Sequence, residues 1–95
     1  MRESRIEAHL RTEVERAGGR CQKFTSPGRR SVTDRIVMMP MARIWFVETK
    51  ATGKEPSAAQ AREHKRLRDM GFQVFVIDSM ELVDQFIRMI RWPPR

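Results

Sequence analysis

Apolar positions recur along this chain with two periods, and the switches between them mark out its elements. Ile6, Leu10, Val14 and Ala17 fall at helical spacing and predict a helix from Ser4 to Ala17, closed by Gly18-Gly19. Arg20 to Phe24 reads as a short strand. A polar, basic stretch from Thr25 to Thr33 holds Pro27, Gly28, Arg29 and Arg30. Two β-rich runs follow, Arg35 to Met39 and Ile44 to Lys50. Pro40 to Arg43 joins them, which predicts a β-hairpin with a four-residue turn. Thr52 to Pro56 is a loop, and Ser57 to Met70 a second helix closed by Gly71. Gln73 to Ile77 reads as a buried strand. Glu81 to Ile90 reads as an amphipathic helix with Val83, Phe86, Ile87 and Ile90 on one face. The order αβββαβα predicts an α/β fold: a hairpin, then a strand–helix–strand crossover, giving a mixed sheet flanked by helices.

The hairpin carries the first chemistry. Asp34 precedes its first strand and Glu48-Thr49-Lys50 ends its second, with thirteen residues between the two acids. Pairing symmetric about a four-residue turn sets Met39 opposite Ile44 and Asp34 opposite Thr49. Asp34 then lies beside Glu48, roughly 5 Å away. Two carboxylates that close repel unless a proton or cation sits between them, and hard divalent cations take carboxylate oxygens. Side chains alternate across a strand, so Lys50 shares a face with Glu48. Two acids, a metal and an ammonium suit phosphodiester hydrolysis, in which developing charge must be offset. A salt bridge at a strand end is the plainer reading of Glu48 and Lys50 alone.

Composition narrows the partners. The 95 residues suit one domain, 1–95, and 40% hydrophobic content supports a folded core. Net charge is +7, and fifteen of the nineteen basic residues are arginine, whose planar fork suits phosphate. A polyanion such as nucleic acid is the natural partner. Cys21 is the only cysteine, which excludes an intramolecular disulfide and a cysteine-rich zinc site. It is expected to pack as a small apolar residue on a strand. With no signal-like or membrane-spanning run, the expectation is a soluble cytoplasmic protein with no membrane partner.

Thr33-Asp34-Arg35, Phe46-Val47-Glu48-Thr49-Lys50, Gln60 to His64 and Gly71 to Asp78 together resemble the VRR-Nuc family of the PD-(D/E)-x-K nuclease superfamily, in its stand-alone viral or bacterial form. The likeness runs from Glu3 to about Ile87. One departure is Thr33, where the family usually has a proline; proline there would restrict the backbone rather than do chemistry. The resemblance implies a restriction-endonuclease-like core and a Mg²⁺-dependent deoxyribonuclease, with Mn²⁺ as a substitute. Asp34, Glu48, Lys50 and Gln60 would be catalytic. Asp34, Glu48 and the Thr49 backbone carbonyl would hold metal, with Glu7 as a further ligand. The stand-alone form also implies a homodimer acting on branched DNA, four-way junctions above all, in a bacterial or phage-infected cell.

Glu7 and Gln60 each carry two readings. Ser4-x-x-Glu7 and Ser57-x-x-Gln60 both have the form of a capping box, which would occupy the side chain at the helix start. Glu7 also borders the apolar stripe. Gln60, His64 and Leu67 share one helix face; the resembled family carries a glutamine here near the catalytic lysine, which implies that its amide holds the scissile phosphate or the attacking water. His64 alone is no signal of a ligand. Arg29, Arg30, Arg35 and Lys54 cluster in sequence around the proposed site and are expected to meet DNA phosphates. Val83, Phe86, Ile87, Met89, Ile90 and Trp92 offer apolar surface for either a two-fold interface or the chain's own sheet. Competing functions are an idle DNA-binding module, a nuclease subunit that needs a helicase or replication partner, and a sequence-reading restriction-like enzyme. The last has little room for recognition segments in 95 residues.

Overall fold

A computed structural model describes residues 1–24 and 34–91 of the chain. Arg29, Arg30, Thr33 and Trp92 therefore lie outside the described residues. The elements are α1 (Glu3–Arg16), β1 (Arg20–Lys23), β2 (Arg35–Met39), β3 (Arg43–Thr49), α2 (Ala58–Asp69), β4 (Val74–Ile77) and α3 (Met80–Ile90). The expected αβββαβα order holds, with no boundary moved by more than one residue. The sheet runs β1-β2-β3-β4, antiparallel except for the parallel β3–β4 pair. Helix α2 makes the crossover that a parallel pair requires.

Alternation along the strands sorts the side chains. Val37 and Met39 of β2, Trp45 and Val47 of β3 and Ile77 of β4 join Ile6, Leu10 and Val14 of α1 and Val83, Phe86, Ile87 and Ile90 of α3 in one buried core. The α3 face is thus taken up within the chain, and the second of the two readings of its apolar surface holds; Met89 stays exposed. Cys21 packs in this core as expected, and burial pushes its thiol up to about 11. His9 of α1 meets Asp84 of α3 at 2.9 Å, a polar clip over the helix pair. Residues of opposite parity, Phe46 and Glu48, face the other side, where α2 lies. No helix among the described residues is long and apolar enough to cross a membrane.

The hairpin corrects the expected register by one residue. Met39 pairs with Arg43, Met38 with Ile44 and Arg35 with Val47. The loop is therefore Pro40–Ala42, three residues rather than four. Met41 and Ala42 take left-handed φ values of 70° and 60°, which let the shorter loop close. Continued one step, the register sets Asp34 opposite Glu48 rather than Thr49.

Two adjacent glycines link α1 to β1 for different reasons. Gly18 has φ 93°, with open space around it. Gly19 has an ordinary φ, but a Cβ there would lie 2.5 Å from Met39 Sδ and 2.6 Å from the Met38 carbonyl oxygen. The backbone oxygen cannot swing aside as a methionine sulfur can. Gly19→Ala is expected to cost about 1–3 kcal/mol, as overpacking does, and more than Gly18→Ala. Thermal unfolding of both variants checks this; equal losses would mean that β2 yields at Met38.

Candidate functional site

The open end of the hairpin gathers the acids. Asp34 sits at the bend before β2, where its carbonyl accepts from Phe24 N–H at 2.8 Å and continues the β1–β2 ladder. Its carboxylate reaches across to β3. Asp34 Oδ2 accepts from the Thr49 backbone N–H at 3.1 Å and from Thr49 Oγ1 at 3.0 Å. The same hydroxyl lies 3.3 Å from Glu7 Oε2. Thr49 is fully buried and ties Asp34 to α1.

Glu48 points to the opposite face and is 1% exposed. Gln60 Nε2 donates to its Oε2 at 3.4 Å, and Lys50 Nζ lies 3.8 Å from the same oxygen. Its other oxygen, Oε1, is buried without a hydrogen-bond partner among the described residues. Burial pushes the Glu48 carboxyl up from 4.5 to about 8. The Asp34 charge pushes the same way, against Lys50. The two acids thus lie close enough for the charge of one to raise the other.

Gln60 forms its expected cap and also reaches two residues of the candidate site. Ser57 Oγ accepts from Gln60 N–H at 3.1 Å and Ser57 N–H donates to Gln60 Oε1 at 2.9 Å, a complete capping box. The same Oε1 accepts from Lys50 Nζ at 3.0 Å. The cap of α2 therefore holds the lysine beside Glu48. Lys50 itself stands just past β3, fixed by its N–H to the Ile77 carbonyl at 3.0 Å.

Glu7 departs from its expected cap. Helix α1 starts a residue earlier than expected, with Arg2 at the N-cap and no side-chain cap hydrogen bond. Glu7 Oε1 instead takes the Arg35 guanidinium, and its Oε2 faces Thr49. Arg35 is correspondingly turned inward, with a side chain 11% exposed. Its guanidinium meets an acid within the protein, so the sequence cluster of arginines does not put it on an open face. Lys54 is exposed in the loop after Lys50.

Glu3 was not singled out in the sequence and belongs with this group. One ligand oxygen each of Glu3, Glu7 and Asp34 lie within 4.8 Å of one another. Burial raises the Glu3 carboxyl, and the charges of Asp34 and Glu7 raise it further. The signal was the i, i+4 spacing of Glu3 and Glu7, which puts both on one helix face. Beside the acids, Met1, Arg2, Arg5 and Ala51 line an open concavity of about 730 Å³. His64, one turn after Gln60, is 2% exposed, and its Nε2 lies 3.6 Å from Glu48 Oε1. Burial, then the charges of Arg68 and Lys50, lower its proton affinity.

No family model matches the chain. It is 52% identical over 82 residues to a protein described as "Putative nuclease p44" from Acyrthosiphon pisum secondary endosymbiont phage 1, covering 86% of this chain and 88% of that one. A solved structure described as "VRR_NUC domain" superposes with a TM-score of 0.86 over 90% of this chain and 94% of its own, at 37% identity.

Proposed function

Since the chain belongs to the VRR-Nuc family, we propose that it is a metal-dependent endonuclease that hydrolyses phosphodiester bonds in DNA. The observation that carries this is the buried Glu48 carboxylate at the hairpin end that also holds Asp34, with Lys50 Nζ 3.8 Å from it. A donor set of crowded carboxylate oxygens, one of them buried and unpaired, fits a hard divalent cation such as Mg²⁺. Asp34, Glu48 and the Thr49 backbone carbonyl would hold it. Glu3 is the α1 acid better placed to add a ligand, because Glu7 is engaged by Arg35 and Thr49. When bound, the cation supplies Lewis acidity to a phosphoryl oxygen and lowers the pKa of water.

The remaining roles fall to this chain's own side chains. Lys50, steadied by Gln60 Oε1, offers N–H donors for the attacking water or for charge developing on the phosphoryl group. Thr49 fixes the Asp34 carboxylate by two hydrogen bonds to one oxygen. Arg35 holds Glu7 in place. Lys54 is exposed in the loop after Lys50 and is suited to a flanking phosphate, a contact that positions DNA without reading bases. Arg29 and Arg30 keep the same proposed role from sequence alone.

The preferred substrate in this reading is branched DNA, four-way junctions above all, cut by a homodimer. A 95-residue chain has a limited core, so a second subunit adds useful burial. Two-fold symmetry would present two sites to two strands of like polarity. With Mg²⁺ and a panel of single-stranded, duplex, flap and four-way-junction DNA, paired nicks across the junction are expected. Light scattering should report about twice the 11.2 kDa chain mass. A monomer that cuts duplex as readily as junctions would overturn this preference.

A further inference from the structure

Two buried polar atoms face each other across the α2 side of the sheet. Glu48 Oε1 and His64 Nε2 both lack a hydrogen-bond partner among the described residues, and they are 3.6 Å apart. That separation is too long for a hydrogen bond, yet a movement of roughly 0.6 Å would make one. Two such atoms seldom stay unpaired in a folded protein. Their placement is not a matter of one residue. Gln60 and His64 stand one turn apart on the same face of α2, and Gln60 already donates to the other Glu48 oxygen at 3.4 Å.

We infer that His64 is a positioning residue for the metal-holding carboxylate: its Nε2–H donates to Glu48 Oε1 while Gln60 Nε2 donates to Oε2, so α2 grips both oxygens of Glu48. This rests on the reading of Asp34 and Glu48 as the metal-holding pair. A neutral imidazole carries one N–H, and the donor role assigns it to Nε2. Each carboxylate oxygen accepts at two positions, so a donor on one side leaves the other for a cation. An ionised, buried Glu48 also needs donors, since Lys50 at 3.8 Å makes no hydrogen bond with it. Partners of this kind orient a ligand without touching the metal, and losing one commonly weakens metal binding ten- to a hundredfold. The rival role is packing: His64 fills space under α2 and its nitrogen matters to nothing.

The two roles separate by Mn²⁺ titration calorimetry without DNA on the wild type, Glu48→Gln, His64→Leu and His64→Gln. Gln can offer an N–H near the Nε2 position, whereas Leu fills space without a donor. The wild type is expected to bind Mn²⁺, Glu48→Gln to lose that binding, His64→Leu to bind about tenfold more weakly and His64→Gln to come within about threefold of wild type. Equal affinity in wild type and His64→Leu would overturn the His64 role alone. No Mn²⁺ binding by the wild type would overturn the metal-holding reading and the His64 role together. Should His64→Leu not fold, ¹⁵N NMR of the wild-type imidazole with Mg²⁺ decides. A proton on Nε2 coupled to Glu48 supports the role, and a proton on Nδ1 with bare Nε2 overturns it.

Discussion

Glu48→Gln is expected to abolish DNA hydrolysis while leaving the protein folded and, without metal, at least as stable. Glutamine keeps the shape of the side chain and removes the charge. At neutral pH the Glu48 carboxyl, raised to about 8, is already mostly protonated in the metal-free protein. Glutamine therefore resembles the resident form and relieves the crowding with Asp34. What it cannot do is bind a hard cation as a carboxylate does. The expected loss is about a thousandfold or more in turnover, about 4 kcal/mol of transition-state stabilisation. Asp34→Asn should match it. Lys50→Ala should fall as far if the ammonium offsets developing charge, with Gln60 Oε1 left to solvent and Ser57. A purified Glu48→Gln protein that cuts DNA at the wild-type rate would remove this site from the chemistry.

The same carboxyl makes metal-free stability fall as pH rises. The unfolded chain releases the Glu48 proton near 4.5, and the folded chain keeps it to about 8. Between those values the folded state binds more protons. Its stability is fully present below 4.5 and is lost as pH rises through 8. His64 acts oppositely lower down: its lowered value means that stability is lost as pH falls through the range below its ordinary 6.5. The window from 6.5 to 8 is therefore the one in which Glu48 dominates. There, in chelator, stability should decline by up to about 1.4 kcal/mol per pH unit for one linked proton. Glu48→Gln should flatten the slope. Divalent cation needs the ionised form, so its stabilising effect should grow over the same window and release a proton. Denaturant unfolding at half-unit pH steps, with chelator and with Mg²⁺, measures both. Stability that is flat or rises in chelator would mean that Glu48 is ionised without metal.

These expectations draw on features that were unequally visible in the chain. The acids and the lysine were legible because strand alternation and the hairpin bring Asp34 and Glu48-Thr49-Lys50 to one end whatever the register. The register itself was not. It turned on Met41 and Ala42 adopting left-handed φ, which neither residue type announces. The cap of α2 could be read locally because Ser57 and Gln60 are three residues apart; that the same amide would also hold Lys50 was a long-range matter. For α1 the local pattern misled. Ser4 and Glu7 have capping spacing, but Glu7 is claimed by Arg35 and Thr49, 28 and 42 residues away. Arg35 looked like a phosphate contact for the converse reason, since sequence proximity to Arg29 and Arg30 carries no direction. His64 shared a face with Gln60 in any helix, but only packing reveals that its nitrogen meets a buried carboxylate.

The most direct measurement is the cleavage of labelled DNA by wild-type protein in chelator, followed by addition of excess Mg²⁺ to the same reaction. No strand should be cut in chelator, and internal cuts should begin on addition, fastest in the four-way junction. Cutting at equal rates in chelator and in Mg²⁺, or no cutting of single-stranded, duplex, flap or junction DNA under either condition, would contradict a metal-dependent nuclease centred on Asp34, Glu48 and Lys50.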